Sequence, residues 1–219
     1  MDEQKIIFER LVFGPFPSNL AKILYGRRVY PGDQLYVTAG YKVPEPNLTR
    51  PDDSRRKFEH DAIMTLVHCG ERPCKGKTRK KIVNKDIAAV EIKTTEGDIY
   101  KSDVDQYLGA TRLFFYAAPS GLLLPLFNRL VMHPRKEVIG LVDSDAGQVV
   151  VLPQFQVFQK DRRDRLLARC YTSEHRFPFC SGDADPYAIQ RVAESFAEKP
   201  YFVSLCGLRV NTDYLDSLR

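Results

Sequence analysis

The run Leu113-Phe114-Phe115-Tyr116, set between Arg112 and Ala117, constrains this chain more than any other feature. It is wholly apolar or aromatic and is closed by Pro119-Ser120-Gly121. A short unbroken run of this kind reads as a strand covered on both faces, the sort a sheet centre requires. Other strand-like segments surround it. Ile82-Val83 and Ile87-Ala88-Ala89-Val90 form a strand pair within about residues 80–95. Residues 137–142 and 148–152 read as a hairpin about Ser144-Asp145-Ala146-Gly147. Residues 34–38 and 201–206 add two further short strands.

Helical segments are expected between these strands. Ser18 can cap a helix over 19–25 that ends near Gly26. Asp52, Asp53 and Ser54 offer caps for a helix over 55–68. At about 100° per residue, Phe58, Ala62, Ile63, Leu66 and Val67 share one face of it, with Glu59 near the middle and Asp61 opposite. A carboxylate in a core-facing stripe is costly unless it is paired or bound to metal, so Glu59 is a candidate ligand, beside the plainer reading of an edge position whose carboxylate snorkels or forms an ion pair. Further helices are expected over 102–109, 162–170 and 186–198. Residues 43–51, rich in proline, read as a linker or extended loop.

Composition narrows the class. The chain has 219 residues, 43% hydrophobic and 28% charged, ordinary for a globular protein with its own core. No apolar run of about 18 residues is present, so no membrane span is expected. The first residues, Met1-Asp2-Glu3-Gln4-Lys5, lack the basic-then-apolar layout of a secretory signal, which points to a cytoplasmic, intracellular protein. The five cysteines are scattered and contain no Cys-x-x-Cys pair, so reduced thiols are favoured over zinc or disulfides. Net charge is +5, and part of it is concentrated. Lys75, Lys77, Arg79, Lys80, Lys81 and Lys85 follow one another with no acidic residue between. Such a run is commonly a solvated loop. This one leads into an acidic cluster, which favours contact with phosphates.

That cluster is Lys85-Asp86-Ile87-Ala88-Ala89-Val90-Glu91-Ile92-Lys93-Thr94. Glu91 and Lys93 are two apart and project from one face of a strand. Asp86 is five residues before Glu91, so an unbroken strand puts it on the opposite face. Only a bulge or bend, for which Ala88 and Ala89 leave room, would bring the two carboxylates together. Phosphodiester hydrolysis needs a hard divalent ion to polarise the phosphoryl oxygen and lower the pKa of a bound water. Mg²⁺ takes one or two carboxylates and keeps several waters. Asp86 and Glu91 suit that need, with the carbonyl of Ile92 as a third ligand and Glu59 completing the shell. Lys93 would orient or deprotonate the attacking water, or stabilise the pentavalent transition state.

The string Asp86-x4-Glu91-x-Lys93 resembles the PD-(D/E)XK nuclease superfamily, and more narrowly the MmcB-like DNA-repair nucleases. The order of elements carries the likeness: Thr94-Thr95-Glu96-Gly97-Asp98-Ile99, then Asp105-Gln106-Tyr107, then Leu113 through Pro119. Val138-Ile139-Gly140-Leu141-Val142 and its hairpin to Val149-Val150-Val151-Leu152 follow. Lys85 stands where the pattern has proline. The resemblance covers residues 55–153. It implies an α/β (α+β mixed) fold with a restriction-endonuclease-like core, a mixed central β-sheet flanked by helices. The core would occupy 51–153, between an N-terminal extension (1–50) and a C-terminal helical extension (154–219). It further implies Mg²⁺ or Mn²⁺ as cofactor and DNA as substrate, in repair, restriction or mobile-element processing. A homodimer is compatible with it. Lys75, Lys77, Arg79, Lys80 and Lys81 would follow the DNA backbone, with Thr94 and Gln106 near the cleft. Two other readings stand beside this one: a nucleic-acid-binding protein of the same fold without cleavage, and an unrelated protein whose Glu91 and Lys93 form a surface ion pair.

Overall fold

A computed structural model describes residues 2–26, 33–45, 58–73, 75, 79–97, 111–157, 187–191 and 201–219. The chain opens with helices α1 (Glu3–Phe13) and α2 (Phe16–Tyr25). Strands β1 (Gln34–Glu45), β2 (Phe58–Pro73), β3 (Arg79–Ile92) and β4 (Leu113–Ala118) come next. Helix α3 (Ser120–Val131), β5 (Gly140–Asp143) and β6 (Val149–Leu152) follow. Then come β7 (Tyr187–Arg191), β8 (Val203–Leu205), β9 (Leu208–Val210) and the short α4 (Thr212–Ser217).

The strands form one sheet in the order β7-β1-β2-β3-β4-β5-β6-β9-β8. Strands β1, β2 and β3 form an antiparallel meander, β3, β4 and β5 run parallel, and β5-β6 is an antiparallel hairpin. The expected mixed α/β architecture with flanking helices is present. One sheet runs through all three expected segments: β1 comes from the first 50 residues and β7 to β9 from beyond residue 153.

Alternation divides the core into two layers. Ala62, Met64 and Leu66 of β2, Ala88, Val90 and Ile92 of β3, and Phe115 and Ala117 of β4 pack with Phe8, Leu11, Phe16 and Leu20 of α1 and α2. Ile63, Ile87, Ala89, Phe114 and Tyr116 pack on the other face with Leu123, Leu126 and Leu130 of α3. All six residues of β4 are buried, as its sequence requires. Phe115 meets Phe16 edge-on, ring centroids 5.6 Å apart. Gly140 lies beside that ring, where an added Cβ would come within 2.3 Å of it, so no larger residue fits. Pro125 lies inside α3, and the helix continues through it because Leu123, Leu126, Phe127 and Leu130 are anchored on the sheet.

Two expectations are corrected here. Residues 58–73 form a strand, and the expected helix over 55–68 is absent from them. Both faces of β2 are covered, so its apolar residues imitate a helical stripe. Ile63, Thr65 and Val67 are the β-branched residues that favour the strand. Likewise Tyr187–Arg191 is a strand at the sheet edge, where the sequence suggests a helix over 186–198. Expected helices over 102–109 and 162–170 lie outside the described residues.

Buried polar groups tie the layers together. Asp33 accepts two guanidinium bonds from Arg72, at 2.8 and 2.7 Å, and lies 3.0 Å from His68 Nε2. Asp143, fully buried, accepts hydroxyl bonds from Ser120 and Tyr214 on one oxygen, both 2.7 Å, and amide bonds from Asp145 and Ala146 on the other.

Candidate active site

Strand β3 is a single strand. Its pairing with β2 runs unbroken from Pro73↔Arg79 to Ala62↔Val90, with no bulge at Ala88-Ala89. The bend that would unite Asp86 with Glu91 is therefore absent, and the two carboxylates lie on opposite faces. Asp86 belongs with Ala88 and Val90 on the α1–α2 side. Its side chain is nearly buried and holds Arg112 Nη1 at 2.7 Å. The Arg112 guanidinium in turn lies 4.6 Å from the Phe155 ring centroid. Asp86 is a structural ion-pair partner, and the metal-ligand and catalytic roles expected for it are withdrawn.

Glu91 and Lys93 do share a face, as expected. They lie where β3 ends beside β4, with the Lys93 amide donating to the Ala117 carbonyl at 2.8 Å. Glu91 pairs with Tyr116 across the parallel strands. Lys93 Nζ is 3.8 Å from Glu91 Oε1 and 4.9 Å from the Tyr116 ring centroid. The separation from Glu91 exceeds a hydrogen bond, so charge attraction and the aromatic face hold the ammonium. Only 6% of the Lys93 side chain and 13% of that of Glu91 are exposed. A surface ion pair is thus the wrong description. Burying an ammonium this far is costly, and the neighbouring carboxylate and aromatic ring offset part of that cost.

The residue that the sequence reading missed is Asp61. Continuing the Ala62↔Val90 register by one residue sets Asp61 opposite Glu91. Here β2 and β3 part, and the Asp61 side chain bridges them. Its Oδ2 accepts a 2.8 Å bond from the amide of Ile92, the residue between Glu91 and Lys93. Its Oδ1 receives the ammonium of Lys42 from β1. Just 6% of the Asp61 side chain is exposed. The signal was present in the run Ala62-Ile63-Met64-Thr65-Leu66-Val67. Taken as the first strand of a hairpin, it places Asp61 against Glu91 at the far end from the turn.

The remaining expected residues are dispersed. Glu59 is exposed on β2, paired with Pro44, and is not on a helix. The Ile92 side chain is buried toward α1 and α2. Thr94 is half-buried just past β3, and Lys75 and Lys81 are exposed on the β2–β3 hairpin. Arg79 and Lys80 open β3, while Lys77 and Gln106 lie outside the described residues.

The donor set suits a hard cation. Asp61 and Glu91 offer carboxylate oxygens and Ile92, next to Glu91 in sequence, a carbonyl, which fits Mg²⁺ or Mn²⁺ completed by water. The Lys42 ammonium resting on Asp61 marks that carboxylate as a seat for positive charge. Among the described residues, no group of three or more His, Cys, Asp or Glu side chains gathers at one point. The same residues include no helix long and apolar enough to cross a membrane. No protein-family model, curated protein or solved structure matches the chain.

Proposed function

We propose that this chain is a divalent-metal-dependent nuclease of the PD-(D/E)XK kind that hydrolyses DNA phosphodiester bonds, with Asp61, Glu91 and Lys93 as its working residues. One observation carries the reading. The Asp61 carboxylate accepts the amide of the residue between Glu91 and Lys93, and the strand register sets Asp61 opposite Glu91, which supports grouping the three at the end of one hairpin. Asp61 thereby takes the place the sequence reading gave to Asp86.

In this reading Asp61 and Glu91 hold Mg²⁺ or Mn²⁺, with the Ile92 carbonyl beside them. The bound ion supplies Lewis acidity toward the phosphoryl oxygen and a more acidic water. Lys93, steadied by Glu91 and Tyr116, orients the attacking water and offsets charge developing on the phosphate. The Ile92 amide holds Asp61 in one orientation, which spares reorganisation during reaction. Exposed Lys75 and Lys81 contact the DNA backbone without reading sequence. A cytoplasmic setting, a role in repair, restriction or mobile-element processing, and pairing of two copies to cut both strands belong to the same proposal.

A second reading, nucleic-acid binding without cleavage, draws support from the Lys42–Asp61 ion pair, which satisfies the acid with no metal. Incubating the purified protein with linear, supercoiled and single-stranded DNA and Mg²⁺ or Mn²⁺ separates the two. Cleavage that disappears in Asp61→Asn and Lys93→Ala supports the nuclease. Metal-independent binding with no cleavage of any substrate supports the second reading, and cleavage that survives both substitutions removes the site.

A further inference from the structure

Lys42 stands out in the backbone before it does so in the chemistry. Its φ is +51°, a left-handed conformation that is rare outside glycine, and it occurs inside a strand. The pairs Tyr41↔Ala62 and Val43↔His60 keep one register on either side of it, so the irregularity is confined to this residue. Such strain persists where the surroundings hold it, and it is a pointer to function.

Three contacts define where the side chain goes. The Lys42 ammonium reaches both Asp61 Oδ1 and Gln4 Oε1, and it lies 5.6 Å from the Tyr41 ring centroid. Helix α1 backs this arrangement. Asp2 caps the helix by accepting the Gln4 amide at 3.1 Å and takes the Tyr41 hydroxyl at 2.5 Å on its other oxygen. Gln4 and Tyr41 are therefore both fixed relative to β1. Oδ2 accepts the Ile92 amide and Oδ1 the Lys42 ammonium, so a divalent ion seated on this carboxylate meets the Lys42 charge.

We propose that Lys42 is a built-in counter-cation: it neutralises Asp61 while no divalent ion is bound, is displaced when one binds, and so sets the metal affinity of the site. This rests on the reading of Asp61 and Glu91 as metal ligands. Two positive charges repel at one carboxylate, so an incoming ion must drive the ammonium off. Gln4 gives the released ammonium a neutral acceptor, which keeps it close to the site. Electrostatics makes the exchange competitive: whatever Lys42 contributes to the metal-free protein is lost from metal binding.

The experiment is Mn²⁺ binding to the full chain, followed by loss of the free-ion electron paramagnetic resonance signal and by calorimetry. Wild type, Lys42→Met, Lys42→Asn and Asp61→Asn are compared. Asparagine tolerates the left-handed backbone and is too short to reach Asp61, so it covers the case in which methionine disturbs folding. Both Lys42 variants are expected to bind Mn²⁺ about tenfold tighter, a gain between that of an exposed and a buried ion pair. Their metal-free forms should melt lower than wild type and gain more on adding Mn²⁺. Binding that depends on Asp61 but is unchanged or weakened in both Lys42 variants overturns the counter-cation and leaves the metal site standing. Absence of any Asp61-dependent binding overturns both.

Discussion

The carboxylate of Asp61 accepts a 2.8 Å hydrogen bond from the amide of Ile92, and so the acid on one strand is held against the middle residue of Glu91-Ile92-Lys93 on the next. This bond forms where β2 and β3 separate, and it replaces a ladder bond that the strands no longer make. Position and charge of Asp61 can be tested apart, because asparagine keeps an acceptor for the amide while losing the charge.

Asp61→Asn should therefore lower metal-dependent DNA cleavage by at least about a hundredfold, in the range seen when a preorganised electrostatic group is removed. Its thermal unfolding should fall no further than that of the Lys42 variants, since the Ile92 amide keeps its acceptor and only the Lys42 ion pair is lost. Cleavage rate and melting temperature measured on the same preparation check this, and loss of folding together with activity would count against it.

Asp86→Asn should behave in the opposite way. Its partner Arg112 is half exposed, so solvent screens the pair, yet Asp86 itself is nearly buried. A stability loss on the order of 1–2 kcal/mol is expected, between surface and buried ion pairs. Cleavage per folded molecule should be unchanged. Urea unfolding and a cleavage assay distinguish the two effects.

Gly140→Ala tests the packing behind the site. The added methyl would meet the Phe115 ring at 2.3 Å and Pro153 at 2.7 Å, and neither neighbour has room to withdraw. Overpacking of this kind costs about 1–3 kcal/mol. A variant as stable as wild type in urea would show that β4 and β5 are less closely packed than described.

Alkaline stability should report on Tyr214. Burial, and then its hydrogen bond to the Asp143 carboxylate, raise its hydroxyl pKa well above the ordinary value of 10.0. The folded state thus holds this proton more tightly than the unfolded chain. Its contribution is complete below pH 10 and is lost as pH rises from there through the folded value. Tyr214→Phe should flatten the alkaline limb of the stability profile while leaving its neutral-pH shape alone. An unchanged slope above pH 10 would rule this linkage out.

Salt dependence tests the basic hairpin. If exposed Lys75 and Lys81 each neutralise one phosphate, DNA affinity falls with salt at a log–log slope near −0.9 per contact on duplex DNA. Replacing either lysine with alanine should reduce the slope by about one. Fluorescence anisotropy over a salt series measures it, and identical slopes would place the contacts elsewhere.

How far the sequence could be read depended on which physical signal dominated locally. Leu113–Ala118 was legible because an unbroken apolar run of its length is satisfied only at a sheet centre. The β5–β6 hairpin was legible through Gly147, which adopts φ +64° at the turn. Strand β2 was misread, because a strand covered on both faces has no alternation to distinguish it from a helix. That one error hid Asp61, since cross-strand pairing cannot be traced from a helix. Glu91 and Lys93 were placed on one face by their spacing alone. Asp86 was not, because the five-residue interval to Glu91 demanded a bend that the pairing with β2 does not permit. Lys42 left no sequence signal: its conformation and its contact with Gln4 arise only once α1 docks beside β1.

The unbroken register of β3 has a further bearing on how a long substrate would lie in the proposed scheme. Lys81, Lys85 and Glu91 alternate onto one side of the strand, and the span from Lys81 to Glu91 measures about 33 Å at the usual rise per residue. That equals the length of about ten stacked base pairs. A polymer gripped at the hairpin tip is thereby cut, in the proposed scheme, a fixed distance away. In that scheme the strand would act as a measuring rod, because its pairing with β2 carries no bulge between grip and blade.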